Sequence, residues 1–128
     1  MKAFTLSVTA LLLAGITYYS YRKDVIAIDG IAGELLRVIA PPDTRYARHY
    51  THSNFAKTRR GMTEQEVLKL LGEPLLRWQP YKYTMYRRKA HYIGLQYSES
   101  PASTHYRLRQ VYLDRGKVAE VIAYYYLD

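Results

Sequence analysis

The sequence predicts an α+β domain: two short helices packed on a three- to four-stranded antiparallel β-sheet, preceded by a hydrophobic N-terminal helix. Three observations carry that prediction. An uncharged apolar run opens the chain, a short helix with both ends marked stands at its middle, and an aromatic stretch of strand-like density closes in a hairpin.

The opening run is AFTLSVTALLLAGITYY, residues 3–19, which follows Met1-Lys2 and meets no charge until Arg22 and Lys23. One basic residue before an apolar stretch is the pattern of an export signal. Cleavage needs small residues at −3 and −1, and sites near Gly15 or Ser20 put Leu13 or Tyr18 at −3. The run therefore reads as an uncleaved signal-anchor over residues 1–21, with Tyr18, Tyr19 and Tyr21 at its far end, where amphipathic rings suit a membrane interface. The alternative is a cleaved signal peptide and a soluble periplasmic domain.

Residues 22–50 read as a connecting segment with a short helix. Asp29 is its candidate cap, Ile31, Leu35, Leu36 and Ile39 share a face, and Pro41-Pro42 ends it. Residues 51–128 form the α+β domain. Within it, Thr63 is the expected N-cap and Glu66 completes a capping box. Met62 and Val67 stand where a hydrophobic staple forms, Gly72 supplies the left-handed end, and Pro74 forbids continuation. A helix this short is not stable alone. Its Val67, Leu68, Leu70 and Leu71 must lie on a sheet. Trp78 to Tyr86, Tyr92 to Tyr97 and Tyr106 to Leu113 supply the strands, with Gly94 as a candidate bulge and Ser98–Thr104 as an exposed loop. Asp114-Arg115-Gly116-Lys117 is the turn of the last hairpin, and Val118 to Tyr126 returns.

Composition limits the function. At 128 residues the chain is one domain of ordinary size, and 48% hydrophobic residues suffice for a packed core. The absence of cysteine excludes a disulfide framework, a thiolate metal site, a cysteine nucleophile and a lipid-modified N-terminal cysteine. Histidines 49, 52, 91 and 105 and the scattered carboxylates make no catalytic or metal constellation. His49 and His52 lack further ligands at suitable spacing, and Ser98, Ser100 and Ser103 near His105 lack an oxyanion device. No catalytic residue, cofactor or metal is expected. Fifteen tyrosines against two Phe and one Trp fit a contact-making protein.

The segment GMTEQEVLKLLGEP, then Trp78 and Tyr81, then VYLDRGKVAEVI together resemble the SmpA/OmlA (BamE-like) family of outer-membrane assembly lipoproteins. Gly61, Met62, Thr63, Val67, Leu71, Gly72, Pro74, Trp78, Asp114, Gly116 and Val118 stand where that pattern wants them, and the resemblance covers about residues 52–126. It implies an αα-βββ fold and a non-enzymatic, periplasm-facing protein of outer-membrane assembly or envelope integrity. Two departures stand out. The lipobox cysteine is absent, and Thr58 takes a position that is usually aliphatic, which makes Phe55 the expected anchor of a shortened first helix.

Two surfaces are expected. A protein partner in the envelope would meet Trp78, Tyr81, Tyr83, Tyr124, Tyr125 and Tyr126. Alternatively, Arg45, Arg48, Lys57, Arg59, Arg60, Arg87, Arg88 and Lys89 would bind anionic lipid headgroups, in keeping with the net charge of +8. Nucleic acid is set aside because an exported domain does not meet it, and no small-molecule substrate is expected.

Overall fold

The structure is a computed structural model that describes residues 2–128, with side chains from Thr5 onward. The chain is α+β. A long N-terminal helix α1 (Lys2–Ile39) is followed by β1 (Arg45–Tyr46), α2 (His52–Lys57), α3 (Glu64–Leu71) and β2 (Leu76–Trp78). A single 3₁₀ turn (Arg87–Lys89) leads to β3 (Ile93–Gln96), β4 (Ser98–Glu99), β5 (Tyr106–Asp114) and β6 (Lys117–Tyr126). All pairings are antiparallel: β2-β3-β5-β6 form one sheet, and β1 and β4 a small second one.

Helix α1 takes in both the apolar run and the segment expected to hold a short helix. It runs unbroken through residues 22–29 and is interrupted only at Gly30, whose φ of 73° leaves the helical region. The chain doubles back there. Tyr18 Oη donates to Glu34 across the turn (3.0 Å), and Arg22 pairs with the same carboxylate (3.1 Å). Asp29 does not act as a cap. Its carboxylate is taken up by the sheet, as described below.

Helix α3 is as its sequence dictates. Thr63 Oγ1 accepts from Glu66 N while Glu66 reaches back to Thr63 N (2.7 Å), and Gly72 ends the helix at φ 73°. Val67 and Leu71 are fully buried, and Leu68 and Leu70 half-buried. Thr51 caps α2, which buries Phe55. These residues meet Leu95, Tyr97, Val111, Leu113 and Val118 in one core between helices and sheet.

The final hairpin turns at Arg115 and Gly116, both at positive φ (48° and 81°), as a two-residue loop whose twist matches its strands requires. Two local expectations need correcting. The register shift lies at Tyr112/Leu113, not at Gly94. Gly94 instead receives the Trp78 ring, since a Cβ there would stand 2.7 Å from Cζ3. Ser98 is not in an exposed loop. It is buried in β4 and donates to Arg107 O (2.6 Å).

Candidate interaction surface

Alternate residues of β5 face opposite sides of the sheet. Arg107, Arg109, Val111 and Leu113 point to the helices, and Tyr106, Leu108, Gln110 and Tyr112 to the other side. Arginine at 107 and 109 thus places two guanidinium groups inside the helix–sheet layer. Asp29, whose side chain is wholly buried, meets both. Arg109 binds it with two parallel bonds of 2.7 Å, and Arg107 Nη1 donates to Oδ2. Such forked pairing is the strongest form of charge-assisted bond. Arg107 Nη2 also lies 3.9 Å from Glu34 Oε2, within ion-pair range but without a hydrogen bond.

The network continues through α2. Arg109 Nε donates to Tyr50 Oη (3.0 Å), and that hydroxyl lies 3.0 Å from His52 Nδ1. Burial, reinforced by Arg109 and Arg107, pushes the His52 imidazole down to about 4. It is therefore neutral, and its Nδ1 shares a hydrogen bond with the Tyr50 hydroxyl. Burial tends to raise the Glu34 carboxyl, but the bonds from Arg37, Arg22 and Tyr18 hold it below the usual range. Six charged side chains from α1 and β5 thus join the N-terminal helix to the sheet.

The expected partner residues fall into two groups. Trp78 is half-buried and edge-on to Tyr112 at 5.5 Å. Tyr81 joins Tyr86, Tyr92 and Tyr112 in an edge-to-face cluster, and its hydroxyl donates to Glu120 (2.6 Å), which raises its pKa. Tyr125 is buried and donates to Ala40 O. These three are committed to internal packing. Tyr83 (89% exposed), Tyr124 and Tyr126 remain at the surface. Tyr126 packs on Tyr106, six residues along β5 from Tyr112, so at ~3.3 Å per residue it lies about 20 Å from the Trp78–Tyr81 cluster, and Tyr124, opposite Leu108, stands between them on the same face of the sheet.

The expected cationic residues also divide. Arg45 pairs with Glu99, and Lys89 with Glu120 beneath the tyrosine cluster. Arg59 donates to Thr58 O (3.0 Å). Arg48, Lys57 and Arg60 are exposed around α2, and Arg87 and Arg88 on the 3₁₀ turn beside exposed Tyr83, Met85 and Tyr86. From Leu75 to Ser98 the chain carries no acidic residue.

The largest uncovered apolar surface belongs to α1. Every described side chain from 5 to 21 is exposed, including Leu6, Leu11, Leu12, Leu13 and Ile16 at 60% or more. After Gly30, Ile31, Leu35, Val38 and Ile39 are also exposed, along a helical stripe turned away from the sheet. Among the described residues no helix is long and apolar enough to cross a membrane. The apolar run begins at Ala3, and the side chains at positions 1–4 lie outside the described residues. Among the described residues no cluster suited to a metal ion occurs. No family model, curated protein or solved structure matches the chain.

Proposed function

We propose that the protein is a non-enzymatic interaction module held at a membrane by its N-terminal helix, with its α+β domain in the periplasm. The carrying observation is the arm from residue 5 to residue 21, every side chain of which is exposed, with Leu6, Leu11, Leu12, Leu13 and Ile16 at 60% or more. A helix of that kind is stable when lipid or protein surrounds it. The exposed stripe Ile31, Leu35, Val38 and Ile39 lies on the returning segment and suits the same interface. The helix pair before the sheet, the capped α3 and the Asp114–Lys117 hairpin support a BamE-like domain, and with it a part in outer-membrane assembly or envelope integrity. With the lipobox cysteine absent, attachment falls to the peptide itself.

The test is alkaline extraction of membranes from cells making the full chain, with a reporter fused after Asp128 to score the compartment. The wild type should stay with the membrane and the reporter should be active in the periplasm. Leu12→Lys with Ile16→Lys should release it, since each charge near a helix centre costs about 3 kcal/mol of insertion. A wild type that washes off, or a reporter active in the cytoplasm, overturns the proposal.

A second reading rests on a separate observation. Arg87 and Arg88 project beside Tyr83, Met85 and Tyr86 in a stretch without acids, which fits contact with anionic headgroups. Retention on anionic vesicles that falls steeply with salt, and falls further in Arg87→Ala with Arg88→Ala, is its expected signature.

A further inference from the structure

We propose that the outer edge of β6 is a pairing surface for β6 of a second copy of this chain, antiparallel about a two-fold axis at Ala123. The starting point is which way the backbone groups of β6 point. Tyr97 N donates to Arg109 O, and Ser98 Oγ to Arg107 O, so odd-numbered residues of β5 turn their backbone groups towards β3 and β4. Even-numbered residues face β6, where their partners are Tyr126, Tyr124, Ile122 and Glu120. Val121, Ala123 and Tyr125 are left with N–H and C=O directed away from the sheet. Among the described residues nothing bonds to these groups. Only the start of the edge is occupied: Gly61 N donates to Val118 O and Val118 N to Met62 O.

The two edges of the sheet are built differently. Edge strand β2 has three residues, carries Arg77 at its centre and is flanked by Pro74 and Pro80. Short length, charge and proline are the features that discourage pairing between sheets. Strand β6 has ten residues, and from Val121 to Leu127 it has no charge and no proline. An edge left in that state is a template for another strand.

The residues also decide in favour of a second copy. In the antiparallel register centred on Ala123, Val121 faces the partner's Tyr125 and Ile122 the partner's Tyr124. β-Branched–aromatic pairs of this kind stabilise a sheet. Glu120, the one charged residue in the paired stretch, faces the partner's Tyr126, whose hydroxyl is a donor, so no like charges are opposed. Each of Val121, Ala123 and Tyr125 would exchange two backbone bonds with its counterpart. Pairing stops at Glu120, because residues 61–63 already cover the strand beyond it. The operation joins two four-stranded sheets into one and leaves both helix layers on the same face.

Amide exchange of the wild-type full chain in detergent micelles tests the pairing directly. The Ile122 and Tyr124 amides, which face β5, should be protected at every concentration. Those of Val121 and Ala123 should slow by roughly tenfold or more between dilute and concentrated protein. Equal exchange at both concentrations overturns the proposal. Sedimentation gives the second arm. Ala123→Lys places two ammonium groups on the axis and should sediment as a monomer, whereas an equimolar mixture with Ala123→Glu should recover the dimer. Ala123 borders an open cavity of 250 Å³ lined by Ile28, Phe55, Arg59 and Val121, which leaves space for the longer chain. A wild type that is monomeric throughout, or an Ala123→Lys form that remains dimeric, overturns the proposal. Should that variant fail to fold, exchange in the wild type decides.

Discussion

Asp29 stands between two arginines, its side chain without exposed surface and with three bonds to guanidinium groups. The desolvation of such a group is tolerable only while its partners are present. Asp29→Ala leaves Arg107 and Arg109 as uncompensated buried cations, so a loss of about 3–5 kcal/mol is expected in urea unfolding. Asp29→Asn should do nearly as much harm, because it keeps the volume and loses the charge. His52 gives a pH dependence of known sign. Its folded pKa of about 4 lies below the unfolded value, so between roughly pH 6.5 and 4 the unfolded chain takes up a proton that the native chain refuses. Stability is therefore fully present above that window and declines as pH falls through it, by at most ~1.4 kcal/mol per pH unit from this group. Urea midpoints measured across the window should fall less steeply in His52→Gln.

At the scale of elements, the Trp78–Gly94 contact ties β2 to β3. Gly94→Ala would put a methyl group 2.7 Å from the indole and drive the ring off the sheet. A cost of about 1–3 kcal/mol and a red shift of the fluorescence of the single tryptophan are expected. Helix α3 and the last hairpin were readable from sequence because their devices are local: a cap three residues from its partner, a glycine at the required φ, two strands joined by a two-residue loop. The ends of β2 and the break in α1 were not. Gly30 sits among good helix formers, and only the fit of Asp29 to two arginines 78 and 80 residues away shows why the chain must turn there. One trace was present beforehand. Arginines two apart in a strand fall on one face, and when that face is the core they require a buried acid. The same distance effect divided the tyrosines. Period-2 alternation put Tyr125 inside and Tyr124 and Tyr126 outside, although the three are adjacent in the chain.

For the whole molecule, removal of the link between helix and sheet should separate two kinds of failure. Arg107→Leu and Arg109→Leu together with Asp29→Leu replace the whole buried triad by apolar groups, a change that is often neutral or stabilising. That variant should keep its urea midpoint within about 1 kcal/mol of the wild type while Arg107→Ala alone does not. The link also acts mechanically. A domain on a flexible tether swivels, and each docking event must first freeze that motion. Here the helix enters the domain without a joint and is clamped at Asp29, so it works as a keyed shaft: the azimuth of the domain is fixed by the azimuth of the arm. One residue inserted between Thr9 and Ala10 would turn the outer part of the shaft by about 100° relative to the sheet without altering a contact inside the domain.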